Sequence, residues 1–329
     1  MDNRPDVSII VPVYNAQNTI VSCAVNLIRQ TWKNVEIIFA DDCSTDNSYA
    51  ILQQIKKETG DHIHVLRTDQ NSGPGGARNL GLSIASGRYI GFVDSDDLAD
   101  VTMFEKMYQL ARAEACDIVD CAYLDEAKGM IMPSIPEELS GIMDTAKKNR
   151  LISTEGYVWN KLFLADLINE NHMRFREQTS MEDTDFIVYA YALSTKILSV
   201  NEPLYRHTKN DFSMMSRIRH KNISLDSRNA ANAIYEKLSR MPLYKGIQEG
   251  AEAIMIALCF SALVNCLLDE TADDGTKLGN MLEIRQLTDR IVKRGFQNTC
   301  LPKEMDETCI DLMKINAVEP SELLGMFRT

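Results

Sequence analysis

"IGFVDSDDLAD", residues 90–100, joins an apolar run to a burst of negative charge. Ile90-Gly91-Phe92-Val93, preceded by Tyr89, ends in three carboxylates within four positions: Asp94, Asp96 and Asp97. A short run apolar at successive positions reads as a strand covered on both faces, as in a parallel sheet. In open parallel sheets, ligands bind outside the carboxyl ends of the strands. Asp94 and Asp96 sit at such an end. Neighbouring carboxylates repel one another, so a cation is the simplest compensation, and hard oxygen ligands suit Mg2+ or Mn2+. The structural alternative is a helix N-terminal cluster favoured by the macrodipole.

The neighbouring segments weigh against that alternative. Val7-Ser8-Ile9-Ile10-Val11 is another short apolar run and leads into Pro12-Val13-Tyr14-Asn15. Residues 35–40 form a second run and end at Asp41-Asp42; residues 63–66 form a third and lead into Asn71-Ser72-Gly73-Pro74-Gly75-Gly76-Ala77-Arg78. Between them lie stretches with helical spacing: Ile20, Ala24, Leu27 and Ile28, then Tyr49, Leu52 and Ile55 up to Gly60, then 77–85. A helix over 101–115 and a fifth strand over 117–124 continue the alternation. Such alternation predicts an α/β fold with a mostly parallel sheet and helices on both faces. Acidic, aromatic and Gly-rich turns thus end successive strands, as a binding site requires. The glycines permit close backbone approach, and Arg78 can meet a phosphate or a base. They do not spell a dinucleotide fingerprint or a GxxxxGK[ST] phosphate loop.

The pattern loosens over 125–155, where Pro133 and Pro136 indicate a loop. A helix near 184–194 and an extended run over 197–207 follow. From about 225 the chain reads as helical, and 246–268 is apolar on most faces, as expected at the centre of a bundle. This divides the chain into 1–224 and a helical region, 225–329. The composition of the 329 residues, 45% hydrophobic and 25% charged, is that of a globular protein. A net charge of −12 disfavours nucleic acid and anionic lipid as nonspecific partners. Eight scattered cysteines without CxxC or zinc spacing predict reduced thiols and a cytoplasmic protein. No charge-free apolar run of about 18 residues exists, so no spanning helix is expected. The N-terminus lacks the layout of a signal peptide.

Four segments, VSIIVPVYNAQNTI (7–20), EIIFADDCSTDNS (36–48), NSGPGGARNLGLSIASGRYIGFVDSDD (71–97) and MEDTDF (181–186), together resemble the successive signatures of family 2 glycosyltransferases with the GT-A fold. The resemblance covers roughly residues 5–210. It implies a nucleotide-sugar donor, usually UDP-linked, a divalent cation (Mn2+ or Mg2+), and inverting transfer to an acceptor hydroxyl. Asp94-Ser95-Asp96 matches the DxD motif, with Asp96 the main metal ligand and Asp94 contacting ribose or metal. Asp42 matches the carboxylate that reads uracil; Pro12 and Tyr14 match the turn lining the base pocket. Arg78 matches a donor-side arginine. Glu182-Asp183 matches the acid pair supplying the catalytic base, with Asp183 favoured and Asp185 a competitor. His207 matches a histidine that completes metal or diphosphate contacts. Trp159, with Lys161, offers a sugar-stacking face to the acceptor. Each also has a plain structural alternative: first-turn helix charges for Glu182 and Asp183, a solvated strand-end histidine for His207, packing aromatics for Tyr14 and Trp159.

The resemblance further implies polysaccharide synthesis, often on lipid-linked acceptors at the inner membrane face, which makes peripheral attachment one expectation. The apolar C-terminal helices make a homo-oligomer another. Tryptophan occurs only at 32 and 159, so the QxxRW motif of processive members is absent and one sugar is expected per encounter. Two competing classes remain. A sugar-1-phosphate nucleotidyltransferase would need a Gly-rich basic loop after the first strand, where VPVYNAQNT has neither glycine nor lysine. An inactive carbohydrate-binding protein would not need Asp96 and Glu182-Asp183.

Overall fold

The computed structural model describes residues 4–154, 156–208 and 220–292, with 319 and 322. The chain forms two compact units. One comprises Met1–Met143, Tyr157–Phe186 and Leu193–Asp211; the other comprises Asp144–Gly156, Ile187–Ala192 and Phe212–Thr329.

The first unit is built on a ten-stranded sheet. β1 (Val7–Val13), β2 (Val35–Asp41), β3 (Ile63–Arg67) and β4 (Tyr89–Phe92) pair in parallel in the spatial order β3-β2-β1-β4. Their crossovers are α1 (Ile20–Ile28), α2 (Ser48–Thr59) and α3 (Gly73–Ile84). Every residue of β1 and β2 is buried, which explains the unbroken apolar runs. Two of the polar exceptions pair with each other: the Ser8 hydroxyl donates to Glu36 at 2.6 Å, and Glu36 also accepts from the Ser86 N–H at 2.7 Å.

Beyond β4 the sheet becomes mixed. β9 (Lys161–Leu164) lies antiparallel between β4 and β6 (Ile118–Asp125), and β10 (Lys196–His207) runs parallel to β6. Short antiparallel strands β5 (Leu98–Ala99), β7 (Met130–Met132) and β8 (Gly141–Ile142) complete it. Parallel pairing therefore describes the two strand groups, with antiparallel strands between and beside them. α4 (Met103–Glu114) and α6 (Ala165–Glu170) belong to this unit, as does the start of α7 (Glu182–Leu193). Register brings the strand ends together: Val13 is opposite Asp41, and Ile10 is opposite Phe92.

The second unit is helical: α5 (Thr145–Ile152), α8 (His220–Leu238), α9 (Tyr244–Leu268) and α10 (Asp274–Ile291), with the middle of α7. α5 lies inside the segment expected to be loop. Its start is fixed by Asp144, whose carboxylate accepts from the Lys147 N–H at 2.8 Å. α9 is the apolar segment of the sequence, with Ile254, Met255, Leu258 and Cys259 buried. By length and composition it could cross a membrane, but most of its apolar stretch is buried inside the protein. The expectation of no spanning segment rested on an uninterrupted charge-free run, which 253–268 falls just short of providing. Of the rest of the C-terminal region, 293–318, 320–321 and 323–329 lie outside the described residues.

Candidate active site

Three strand ends and the start of α7 build the site. At the end of β1, Pro12 is buried opposite Ala40, whereas Tyr14 is 48% exposed. Asn15 adopts φ +50° and turns its carboxamide onto the next loop, where its oxygen accepts from the Thr45 N–H at 2.8 Å. After β2, Asp42 is buried. Its Oδ1 accepts from the Ser72 N–H at 2.9 Å and the Thr68 hydroxyl at 3.0 Å; its Oδ2 is buried with no hydrogen-bond partner. A buried acceptor left unsatisfied costs about 1–3 kcal/mol, which a donor on a bound ligand would recover.

The Gly-rich turn opens α3. The sequence reading had these glycines admit a ligand; at Gly75 it is the protein's own backbone that approaches. A Cβ there would lie 1.9 Å from the Arg176 carbonyl oxygen and 3.2 Å from Glu182 Cβ. This close passage brings the start of α7 to Arg78. Arg78 is buried, donating through one terminal nitrogen to Glu182 and through the other to Asp94 at 2.8 Å. Its guanidinium lies 5.4 Å from the Phe175 ring. Burial works against the charge, but Asp94, Glu182 and Asp183 hold the Arg78 pKa above the ordinary arginine value. Both terminal nitrogens are thus committed to protein carboxylates.

Asp183 sits beside this knot, and no lysine or arginine among the described residues forms an ion pair with it. Its carboxyl is pushed up to about 7, by burial first and then by the Glu182 and Asp94 carboxylates, with Arg78 opposing. Asp185 is different: it is buried, and Arg176 Nε reaches its Oδ1 at 2.7 Å. Three acids that look alike in MEDTDF therefore occupy three environments.

Asp94 and Asp96 stand at the end of β4 as expected. The third acid, Asp97, turns inward and is buried. It accepts from the Tyr205 hydroxyl at 2.8 Å and from the Thr208 N–H at 2.8 Å. The Tyr205 oxygen in turn accepts from the Asp94 N–H at 3.1 Å, and the Thr208 hydroxyl donates to the Asp96 carbonyl. Burial, then Asp94 and Asp96, push the Asp97 carboxyl up to about 8. Tyr205 and Thr208 have no signature in the sequence beyond lying at the end of an extended run, so sequence reasoning passed over them.

Among the described residues, no three His, Cys, Asp or Glu side chains are gathered to hold a metal. The expected trio of Asp94, Asp96 and His207 is therefore not assembled. His207 lies parallel to the Trp159 ring, with centroids 5.6 Å apart. The donor set still fits one kind of cation. Mg2+ is ordinarily bound through one or two carboxylates plus substrate phosphates, and Asp94 and Asp96 can supply that much.

The two acceptor-side expectations are corrected by burial. Trp159 is 4% exposed and packs against Tyr205, His207 and Tyr157, so it has no open stacking face. Lys161 is buried; its ammonium donates to Asn160 Oδ1 at 2.8 Å and meets Asp120 at 3.5 Å.

The chain is similar to known proteins in both sequence and fold. Residues 8–161 match the profile of Glycosyl transferase family 2. The chain is 31% identical over 221 residues to glycosyltransferase GlyG of Streptococcus pneumoniae, covering 64% of this chain and 72% of that one. It is 34% identical over 218 residues to the poly(ribitol-phosphate) beta-glucosyltransferase of Bacillus spizizenii, covering 64% of this chain but only 33% of that protein. In fold it is similar to residues 1–349 of S. aureus TarS, solved with UDP-GlcNAc: TM-score 0.74, 20% identity, 98% of this chain and 91% of that one. The fold and the sequence relationship together establish the chain as a glycosyltransferase enzyme belonging to glycosyl transferase family 2.

Proposed function

We propose that this enzyme transfers a sugar from a UDP-linked donor to an acceptor hydroxyl, with inversion at the anomeric carbon, in the synthesis of a surface polysaccharide. The observation that carries this reading is the acid knot itself: Arg78 bridges Asp94 and Glu182, and beside it burial and those acids push the Asp183 carboxyl up to about 7. A hydroxyl is a poor nucleophile, and a general base works best with a pKa near the operating pH. Asp183 takes the hydroxyl proton as the oxygen attacks the anomeric carbon, while the bond to the diphosphate breaks on the opposite face. Glu182 and Asp185 are each paired with an arginine, so we read the step as a single displacement with Asp183 as base, by which an α-linked donor gives a β-linked product. The beta-glucosyltransferase relative is consistent with that outcome.

On the donor side, the unsatisfied Oδ2 of Asp42 suits the N–H of a uracil ring, with Pro12 and Tyr14 lining the base pocket. The UDP-GlcNAc seen in the TarS structure supports the same donor class. Arg78 acts by holding Asp94 and Glu182 in place. Asp96, with Asp94, would hold a Mn2+ or Mg2+ that neutralises charge on the departing diphosphate. Residues 225–329 serve oligomerisation or acceptor docking. Cys23, Cys43, Cys116, Cys121, Cys259 and Cys266 are free thiols, which supports a cytoplasmic site of action, peripheral to the membrane if the acceptor is lipid-linked.

Calorimetry with UDP tests the donor assignment. UDP is expected to bind in the presence of Mn2+, to bind more weakly after EDTA, and to lose the metal-dependent part of its affinity in a folded Asp96→Asn variant. Unchanged metal-dependent binding in that variant would remove Asp96 from the role; no UDP binding at all would overturn the reading.

A further inference from the structure

The rings around Trp159 form a continuous series that starts at the carboxylate loop and ends in solvent. The Tyr205 hydroxyl touches both Asp94 and Asp97. The Tyr205 ring stacks on Trp159 at 4.4 Å and 20°, and Trp159 stacks on Tyr157 at 4.7 Å and 16°. Tyr123 braces the last two edge-on, at 5.9 Å from Tyr157 and 4.6 Å from Trp159. Tyr205 and Trp159 are buried, but Tyr157 is 41% exposed. The series therefore presents one aromatic side chain to solvent, held by two neighbours and two ring contacts from the loop that carries Asp94 and Asp96.

We propose that Tyr157 is the acceptor platform, and that it takes the apolar face of a neutral pyranose ring. This inference rests on the glycosyltransferase reading above and extends it to the acceptor's chemistry. An aromatic face is negative at its centre, so it attracts the C–H bonds that line one side of a sugar ring. Tyr157 needs little ordering to do this, since Trp159 and Tyr123 already fix it, and preorganisation strengthens binding. A phosphate-bearing polyol would call for a cation here. The neutral Tyr157 ring supplies none. The platform thus favours a glycan acceptor over an acyclic polyol phosphate such as the one named for the Bacillus spizizenii relative.

Trp159 provides a direct readout. In a Trp32→Phe background it is the single tryptophan of the chain. With UDP and Mn2+ present, titration with cellobiose is expected to change the Trp159 emission saturably, and ribitol 5-phosphate is expected not to. Tyr157→Ala should weaken the cellobiose response at least tenfold. Tyr157→Phe should retain it, while Tyr157→Leu, which covers Trp159 without a ring face, should not. UDP affinity, measured alongside, should stay the same in all three. No cellobiose response, an equal response in Tyr157→Ala, an equal response to ribitol 5-phosphate, or rescue by leucine would each overturn the proposal. Loss of UDP affinity in Tyr157→Ala would also overturn it, by making the role structural. If the parent protein binds no UDP, the glycosyltransferase donor reading fails instead, and the two failures are told apart.

Discussion

Asp183 is where one side chain's surroundings translate into rate. As a general base it works only when ionised, so kcat/KM is expected to rise with pH and level off above about 7. Asp183→Asn should lower transfer by about 10²–10⁴-fold while leaving UDP affinity intact. Near-wild-type turnover would move the base to Glu182 or Asp185, each of which is paired with an arginine. The same shift has a stability consequence with a defined sign. A carboxyl raised above its unfolded value binds a proton more readily in the folded protein, so its favourable contribution holds at low pH and is lost as pH rises from about 4 through 7. Asp183→Asn should therefore melt above the parent at pH 8 and level with it near pH 4; a variant less stable than the parent at pH 8 would contradict the raised value. The sequence carried the acid pair but not its inequality. MEDTDF shows three acids, and only the partners, Arg78 from α3 and Arg176 from the preceding loop, tell them apart. Trp159 failed in the other direction: a residue type suited to stacking on sugar is used to fill the core, and its neighbour Tyr157 meets the solvent.

At the scale of elements, legibility tracked the length of the signal. β1, β2 and β4 were plain because burial on both faces leaves no polar residue without a reason. α5 was not, because eight residues after two prolines give barely two turns of periodicity. Its identity depends on α9. Asn149 of α5 donates to the Gly246 carbonyl at 2.8 Å and accepts from the Gly250 N–H at 2.7 Å, so one carboxamide ties the two helices together. Gly250 allows this contact: a Cβ there would stand 2.2 Å from the Asn149 carbonyl oxygen and 2.7 Å from its Cα. The obstruction is backbone and cannot rotate away. Gly250→Ala is expected to destabilise the protein by about 1–3 kcal/mol through overpacking. Asn149→Ala should cost a similar amount, about 1–3 kcal/mol, by removing both hydrogen bonds that its carboxamide makes to α9. Because both changes break one contact, the double variant should cost clearly less than the sum. Chemical denaturation of the four proteins gives the cycle, and full additivity would mean that the contact does not couple the helices.

For the whole molecule, the composition change near 225 marks where helices begin to dominate, but it carries no sign of the earlier segments that fold with them. The helical unit draws in 144–156 and 187–192, and its α9 packs on α5. Within that unit Leu151, Ile152, Ile187, Val188 and Tyr191 are buried, and Lys237 of α8 lies 5.6 Å from the Tyr189 ring of α7. Truncation at 224 removes α9 and α10 and most of α8 while leaving α5 and α7 in the chain. The apolar side chains these two helices bury in the unit would then lose their cover, and burying a Leu or Ile side chain stabilises by about 1.5–3 kcal/mol relative to exposing it. The 1–224 fragment is therefore expected to aggregate or to melt well below the full chain, even though the acid knot and the carboxylate loop lie wholly within it. Size-exclusion chromatography, thermal melting and UDP titration of the fragment check this together. A soluble, monodisperse fragment with the parent's melting temperature and acceptor kinetics would show that α5 and α7 do not need the C-terminal helices, and would remove both roles proposed for 225–329. A fragment that stays folded and binds UDP but transfers poorly would assign the helices to the acceptor.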